Sequence, residues 1–540
     1  MKTLLNKINM WVFPLSLLFI MGVSSCGTNW LDEQPLNSIS SATFWKSEND
    51  AMLALNGIYT SSTVGDNTYN NQLLAYTSKI GDGEYKVNAI GSVYSGYFLS
   101  TSTEVSGIWN RSYTAIYRSN YFLENIESVE MNPALKSQFI AEVRFIRAYE
   151  YFYLSLWFGG VPLITNVLTI DEANTISRNP LDEVVNFALS ELTESAKDLP
   201  ATRPDSERGR IVKAAALATK GRLLLMHKRW AEATDTYKEI IDLNAHLIDP
   251  QYKAMFEEAG SKSSKEVILS TICITSLRQN PQNQTNYHPD MYGGYEETVP
   301  TQNMVDEFLM NDGLPIEESP LYDPSNPFEN RDPRLYASIF LPYYTIFRGR
   351  LYDQISIGRL NVTGYSWKKY VTEDWVGVTG NSGEDIILIR YAEVLLSYLE
   401  AKLENGDIIT QELLDQTINQ VRGRAEVQMP AVTETDPAKL REIIRRERRV
   451  EFCIERVIRY MDVMRWGLFP DCANQIVYGM KMTDDPDNYT TFVVEKVGKY
   501  RGHYIVIDKR GTFTADHIYL PLPQFELDVN KNLVQNPGYY

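Results

Sequence analysis

Histidine and cysteine are scarce in this 540-residue chain, which has 5 His and 4 Cys. The histidines are scattered without the short spacing of a zinc site, and no Cys-x-x-Cys pair occurs. A Ser-His-Asp order, a phosphate-binding glycine loop and a nicotinamide fingerprint are also lacking. The sequence therefore predicts neither an enzyme nor a cofactor. It leaves open only a structural calcium ion in an acidic loop.

Positively charged residues are fewer than negatively charged ones. The chain has 52 Lys and Arg against 69 Asp and Glu, which gives a net charge of -17. Such a balance gives no electrostatic attraction for a polyanion, so we expect no nucleic-acid partner. Tyrosine is abundant instead, with 34 residues against 20 Phe and 9 Trp. A tyrosine ring combines an apolar face with a polar hydroxyl, which suits surfaces that stack on polar ligands as well as ordinary cores.

An apolar run covers residues 10–23 near the N-terminus and follows Lys2 and Lys7. The run is shorter than the roughly 20 residues of a membrane span. It predicts a signal peptide over residues 1–25. The small residues that lead into Cys26 resemble a lipobox, which implies that Cys26 is acylated and becomes the mature N-terminus anchored in membrane lipid.

Helical periodicity dominates the rest of the chain and predicts a mostly α fold with a few short strands. The predicted helices cover residues 48–60, 108–126, 135–157, a stretch from 181, 211–227, 229–243, 385–405, 411–424 and a stretch from 436. The pair at 211–227 and 229–243 resembles a tetratricopeptide helix pair in its small and aromatic positions. Strands are predicted within 265–275, 503–507 and 517–520. We expect one domain over residues 26–540, with its helical scaffold mainly in 108–260 and 385–466.

Two irregular regions, about 61–107 and 279–384, interrupt this scaffold. Long segments without regular structure often carry binding, and sugars are held by exposed aromatic rings beside short polar side chains and Arg. The candidate ligand-binding residues are Asp82, Tyr85, Asn88, Tyr94, Tyr97, Asn286, Tyr287, Tyr292, Tyr295, Arg348, Tyr365, Trp367 and Trp375.

The most charged stretch runs from Asp436 to Trp466, with five arginines between Arg441 and Arg449. Glu447 and Glu451 lie four residues apart beside an apolar helical stripe, a spacing that a glycosidase pair could use. Structural ion pairing is the alternative that we favour, since the neighbouring arginines would hold both carboxyls ionised. The same interpretation covers Glu142, Arg144, Arg147, Arg390, Glu393, Arg422 and Arg424.

Motifs spread over the whole chain resemble the SusD/RagB family of outer-membrane nutrient-binding lipoproteins. In order they are Cys26 with Leu31-Asp32, Phe44-Trp45, NGIY at 56–59, EVRFIRAY at 142–149, FGGVP at 158–162, IRYAEVLL at 389–396, NQVRGRA at 419–425, ERRVEF at 447–452, DVMRW at 462–466, LPLP at 520–523 and QNPGY at 535–539. The resemblance implies a SusD-like fold in which four tetratricopeptide-type helix pairs support an irregular ligand-binding part.

The resemblance also implies a location and a partner. A protein of this family would be anchored in the outer membrane of a Gram-negative bacterium, face the cell surface, and cover a SusC-like TonB-dependent transporter. We expect a non-catalytic lipoprotein that captures oligosaccharide or polysaccharide and delivers it to that transporter. The alternative is a RagB-like protein for peptides or glycopeptides, and a surface glycoside hydrolase is a more distant one.

Overall fold

A computed structural model describes residues 44–66, 84–86, 98–281, 288–353, 363–373, 382–455, 457–507 and 513–539 of the chain. Cys26 and the predicted signal peptide lie outside these ranges, so acylation of Cys26 stays a prediction. No helix in the described ranges is both long and apolar enough to cross a membrane.

Seven helices form the first half of the scaffold. They are α1 (Glu48–Ser61), α2 (Thr103–Asn125), α3 (Pro133–Phe158), α4 (Ile170–Ala173), α5 (Leu181–Asp198), α6 (Lys213–Met226) and α7 (Trp230–Asp242). Helix α3 is an example of how capping residues determine where a helix begins and ends. Its N-cap Asn132 accepts hydrogen bonds from two backbone N–H groups and Pro133 occupies the first turn, while Gly159, with φ of 73°, ends it.

The long helices pack in sequence order, α2 and α5 against α3, α6 against α5, and α7 against α6. The α6–α7 pair is close because Gly221 faces Tyr237, where an added Cβ would lie 2.4 Å from the tyrosine ring. Predictions of helices for all of these stretches are confirmed within a few residues. The mostly α fold is confirmed as well.

Shorter elements make up the second half. The helices are α8 (Glu258–Ser263), α9 (Gln302–Glu307), α10 (Pro333–Ser338), α11 (Tyr391–Glu404), α12 (Gln411–Gln416), α13 (Ile418–Arg422), α14 (Pro437–Glu451), α15 (Ile458–Arg465), α16 (Phe469–Asn474) and α17 (Gln524–Val529).

The strands in the described ranges form five two-stranded antiparallel ribbons. They are β1 (Glu84–Lys86) with β3 (Thr298–Pro300), β2 (Val267–Thr271) with β8 (Ile386–Arg390), β4 (Ile339–Phe340) with β7 (Ser366–Trp367), β5 (Ile346–Phe347) with β6 (Arg350–Leu351), and β9 (Val477–Lys481) with β10 (His503–Ile507).

Outside the charged stretch, three sequence predictions of secondary structure are wrong. The helix predicted over 385–405 begins with strand β8, because this segment pairs with β2 before α11 starts. The helix predicted over 411–424 is broken at Thr417, whose φ and ψ are -128° and -98°. The strand predicted at 517–520 is instead a 3₁₀ turn over Ala515–Ile518.

The charged stretch from Asp436 to Trp466 is two helices rather than one. Helix α14 ends at Glu451, and Ile454 then adopts φ of 56°, an unusual backbone conformation for a β-branched residue. The carbonyl oxygen of Glu451 accepts hydrogen bonds from Lys369 Nζ at 2.8 Å and Arg390 Nη2 at 2.9 Å. Cations thus satisfy the negative end of α14, a tertiary effect that overrides the local helical pattern.

Helix α14 lies between two hydrophobic cores. Its Leu440 and Ile444 belong to the large core of the helical scaffold, which α1 to α3, α5 to α7, α11 and α15 also fill. Its Val450 belongs to a second core built mainly from the loop-rich part, including Phe340 and Trp367. This helix therefore joins the scaffold to the irregular part of the molecule.

Candidate functional site

A cluster of buried charges surrounds the C-terminal half of α14, and we call it the central ion cluster. It comprises Glu266, Arg334, Lys369, Arg390, Arg422, Arg424, Glu447, Glu451 and Glu455, all of them buried. Glu451 accepts hydrogen bonds from Arg334, Arg390 and Arg424 at 2.8, 2.7 and 2.6 Å. Glu447 accepts from Arg334 at 2.5 Å and from Arg422 at 2.8 Å.

The partners of Glu447 and Glu451 are not the neighbouring arginines that the sequence suggested. Arg448 pairs with Asp462 at 2.8 Å, and Arg449 pairs with Glu307 at 2.5 Å. Side chains adjacent on a helix point in different directions, so arginines from α10, β8 and the segment after α12 meet the two glutamates instead.

The electrostatics of the central ion cluster do not suit acid catalysis. Burial alone would raise the pKa of Glu451, but the guanidinium groups of Arg424, Arg390 and Arg334 outweigh it and hold that pKa well below the usual range. The pKa of Glu447 is lowered in the same way by Arg334 and Arg422. A glycosidase acid needs a raised pKa and access to a sugar, and these two carboxyls have neither.

Other arginines and glutamates that the sequence singled out also form ion pairs in the scaffold. Glu142 accepts from Arg203 and Arg210 at 2.8 and 2.7 Å. Arg147 donates to Glu191. Glu393 accepts from Arg222 at 2.6 Å. Arg144 differs, since it forms no ion pair with the described residues and its Nε is buried without a hydrogen-bond partner.

Three separate segments with predicted ligand residues converge on one surface of the irregular part, which we call the hairpin surface. It comprises Glu84–Lys86, residues 288–300 and the hairpin Ile346–Leu351. Strand β1 brings Tyr85 opposite Val299 of β3. The hydroxyl of Tyr292 donates to the carbonyl oxygen of Arg350 at 3.2 Å, which ties the second segment to the hairpin.

The hairpin holds Arg348 in an uncommon backbone conformation. Arg348 and Gly349 form its two-residue loop with φ of 52° and 71°, the signs of a type I′ turn. Asn and Gly are the usual residues of such a turn, because a left-handed conformation costs other side chains about 1–2 kcal/mol. Arg348 also donates from Nε to the carbonyl oxygen of Glu373 at 2.7 Å. Strained residues of this kind concentrate at functional sites.

Aromatic and apolar side chains are exposed on the hairpin surface. Tyr295 is 62% exposed, and the cross-strand partners Ile346 and Leu351 are 68% and 43% exposed. The ring of Tyr292 lies edge-on to the ring of Phe347, with centroids 5.1 Å apart, and the Arg348 guanidinium lies over the same Phe347 ring. The surface therefore offers a free tyrosine, an apolar hairpin face and a fixed guanidinium.

Two predicted ligand residues occupy buried positions. Trp367 is 1% exposed on β7 and packs in the second core, so its indole face is not available as a ligand platform. Tyr365 is also buried, and its hydroxyl donates to Gln302 Oε1 at 2.5 Å at the wall of a separate cavity. The sequence could not predict that Trp367 is buried, because strand β7 has only two residues and such a short strand shows no alternation of inward and outward side chains.

The remaining predicted ligand residues lie outside the described residues. They are Asp82, Asn88, Tyr94, Tyr97, Asn286, Tyr287 and Trp375, and they stay predictions. The side chain of Tyr85 is also not described. Where the chain is described, no group of three or more His, Cys, Asp or Glu side chains could hold a metal ion.

Sequence reasoning missed the part of the hairpin surface that depends on turn geometry. Phe347 and Gly349 were not selected, although a glycine at the second loop position between apolar pairs is a weak signal for a two-residue hairpin. It also missed Glu266, Arg334 and Glu455 as partners in the central ion cluster. Asp332-Pro333, a typical helix start, was the local signal near Arg334.

Comparison with known proteins assigns the chain to a family. The family model described as the SusD family matches residues 266–539, half of the chain, and a second model, described as starch-binding associating with outer membrane, matches residues 29–225. The chain belongs to the SusD family. The central ion cluster and the hairpin surface both lie largely within the residues matched by the first of these models.

Individual SusD-family proteins align over most of the chain. A crystal structure of a SusD-like carbohydrate-binding protein from Bacteroides fragilis has a TM-score of 0.83 and 32% identity, covering 91% of this chain and 100% of that one. SusD-like protein P25 of Formosa agariphila is 24% identical over 97% of this chain and 99% of its own length. Starch-binding protein SusD of Bacteroides thetaiotaomicron is 24% identical over 78% and 76% of the two chains.

Proposed function

We propose that this SusD-family member is a non-catalytic glycan-binding protein that captures oligosaccharide at the hairpin surface. The observation that carries the proposal is the strained Arg348 turn, in a hairpin that Tyr292 ties to the segment carrying the exposed Tyr295. Sugars present apolar C–H faces and a rim of hydroxyls, and this surface supplies a free aromatic ring together with a guanidinium fixed by backbone acceptors. The carbohydrate-binding description of the B. fragilis relative supports the same ligand class.

Binding without hydrolysis is supported by the state of the charged residues. The two glutamates that could have formed a glycosidase pair are buried in ion pairs, away from the hairpin surface. A glycan held at Tyr295 and Arg348 meets no described carboxyl pair of raised pKa. The bound sugar is therefore expected to leave the protein intact.

A binding screen tests the ligand class. Protein lacking residues 1–26 is titrated with a panel of oligosaccharides and a panel of peptides, alongside the double variant Tyr295→Ala, Arg348→Ala. We expect saturable glycan binding that the double variant weakens, and no new reducing ends after incubation. Saturable peptide binding with no response to any glycan would replace this proposal with a RagB-like peptide function.

The cellular role that we propose is delivery of the glycan to a SusC-like TonB-dependent transporter from the outer-membrane surface, with acylated Cys26 as the anchor. The second matched family model, whose description associates it with the outer membrane, supports this location. Cys26→Ser is expected to abolish fatty-acid labelling and membrane retention. Co-purification of a TonB-dependent barrel with the wild-type protein tests the partner, and its absence from cross-linked membranes would contradict delivery.

A further inference from the structure

A cavity of about 730 Å³ lies in the irregular part, between α9, the loop 316–331 and the β9–β10 ribbon. Five tyrosines line it: Tyr322, Tyr343, Tyr344, Tyr365 and Tyr500. No described residue of the hairpin surface is among its lining residues. Its volume falls within the range of about 300–1,000 Å³ typical of small-ligand sites. We refer to it as the tyrosine cavity.

Two of these tyrosines are each supported from behind by another tyrosine. Tyr344 stacks on Tyr336, with ring centroids 5.5 Å apart and planes 20° from parallel. Tyr500 stacks on Tyr478 at 4.2 Å and 24°. The two pairs come from separate parts of the chain, and Tyr344 and Tyr500 both line the cavity. Phe328 also meets the Tyr344 ring edge-on at 6.0 Å, and Lys499 Nζ lies 5.4 Å from the Tyr500 ring centroid, so each ring has a second neighbour that lines the cavity. These rings are therefore fixed in place before any ligand arrives, which reduces the entropy that binding costs.

The backbone at Tyr343 explains how consecutive tyrosines line the same cavity. In an extended chain successive side chains point to opposite sides. Tyr343 instead has φ of 60°, which is uncommon for a bulky residue and turns the chain so that Tyr343 and Tyr344 both reach the cavity. They are 53% and 42% exposed, so their rings remain accessible.

Paired charges supply the polar part of the cavity wall. Lys499 Nζ lies 2.6 Å from Glu317 Oε1 and 3.4 Å from Asp306 Oδ2, while Gln302 donates to Asp306 at 2.7 Å. An ammonium donates and a carboxylate accepts, so together they can bond to sugar hydroxyls in both senses. The other charged lining residues are Glu329, Arg331, Lys481 and Arg501, so the wall holds four cations and three carboxylates and gives only a weak attraction for an acidic ligand.

We infer that the tyrosine cavity is a second saccharide-binding site, separate from the hairpin surface and suited to a short neutral oligosaccharide. The inference rests on the proposed function for its ligand class, because stacked rings and paired charges alone specify a polar ligand with apolar faces. It assigns ring stacking to Tyr344 and Tyr500. It assigns hydroxyl contacts to Lys499, Glu317 and Asp306.

Footprinting distinguishes the two sites. Protein lacking residues 1–26 is oxidised with hydroxyl radicals in the presence of neutral trisaccharides, uronic-acid trisaccharides or tripeptides, and tyrosine oxidation is measured by mass spectrometry. We expect a neutral trisaccharide to protect Tyr344 and Tyr500 in addition to Tyr295. Tyr295→Ala should leave the protection of Tyr344 and Tyr500 unchanged.

Matched variants measure the contribution of stacking. Tyr344→Ala should weaken binding at the cavity about tenfold, whereas Tyr344→Phe, which keeps the ring, should weaken it less than about twofold. Circular dichroism checks that both variants are folded, and Tyr295 protection should persist in both.

The possible failures of the two proposals differ. Protection of Tyr295 alone would overturn the second site and leave the proposed function standing. Protection of the cavity by uronic acids or peptides, and not by neutral sugars, would overturn the assigned ligand class of the cavity. Protection by no saccharide at either place would overturn both proposals.

Discussion

The central ion cluster and the hairpin surface are both rich in polar groups. The cluster buries them in ion pairs, whereas the hairpin surface exposes Tyr295 and Arg348. In the cluster each carboxyl is held by at least two cationic side chains, and Glu451 alone accepts from three arginines. At the hairpin surface Tyr295 stands exposed, and Arg348 keeps an unfavourable backbone conformation. The buried ion pairs form a rigid joint between the scaffold and the irregular part. The exposed ring and the strained turn remain accessible to a ligand.

The largest effect is expected from removing one charge of the central ion cluster. Glu451→Gln leaves Arg334, Arg390 and Arg424 without their shared counter-charge in a buried place. We expect the free energy of unfolding to fall by about 3–5 kcal/mol, measured by denaturant titration. The matched control Glu442→Gln breaks the exposed pair with Arg445 and should cost less than about 1 kcal/mol. Equal losses in both variants would contradict the rigid joint.

The pH dependence of that loss has a definite sign. The folded pKa of Glu451 is depressed, so its stabilisation is fully present above the unfolded pKa of about 4.3 and is lost as the pH falls toward the folded value. The stability difference between wild type and Glu451→Gln should be constant from about pH 6 to 8 and should shrink below about pH 4. Urea titrations across this range check it. A difference that grew on acidification would mean that the folded pKa is raised.

Substitutions at the hairpin surface should instead affect binding strongly and stability little. Tyr295→Ala is expected to weaken glycan binding about tenfold, since one stacking ring is lost, while the free energy of unfolding changes by less than about 0.5 kcal/mol. Leu247→Ala is a matched control, because both side chains are 62% exposed. Calorimetric titration should show unchanged affinity for the Leu247 variant. A marked loss of stability in Tyr295→Ala would make that ring structural.

The smallest effect is expected from relieving the strain at the turn. Arg348→Gly removes the cost of the left-handed conformation but also the hydrogen bonds to the carbonyl oxygens of Thr372 and Glu373, so the free energy of unfolding should change by less than about 1 kcal/mol, while glycan affinity falls. Gly349→Ala is the reverse control. Its φ is 71° and no atom lies within 4 Å of an added Cβ, so backbone strain alone should lower stability by about 1 kcal/mol. A large loss of stability in Arg348→Gly, with no loss in Gly349→Ala, would contradict a type I′ turn under strain.

How much could be read from the sequence depended on whether a feature was local. Helix α3 was predictable because Asn132, Pro133 and Gly159 mark its ends and apolar residues recur between them. Strand β8 was not, because its apolar residues suit a helix equally well and only pairing with β2 decides the matter. The break after Glu451 was hidden for the same reason, since Lys369 and Arg390 arrive from distant parts of the chain.

The residues of the candidate site show the same contrast between features that are local in sequence and features that depend on distant contacts. Tyr295 and Arg348 were selected from the residue types that recognise sugars, and the structure places their segments side by side. Trp367 was selected by the same rule and is buried, because a two-residue strand gives no pattern that separates an inward from an outward ring. The tyrosine cavity was missed altogether, since its walls come from separate segments between residues 302 and 503.

The sequence by itself determined the mostly helical scaffold, the positions of the long helices in the first half of the chain and the resemblance to the SusD family, because capping residues and apolar periodicity act over a few neighbouring positions. Only the tertiary structure decided which arginine meets which glutamate, which aromatic rings remain exposed, and that β1, residues 288–300 and the Arg348 hairpin form one surface. Those outcomes depend on contacts between residues far apart in the chain, and no local pattern records them.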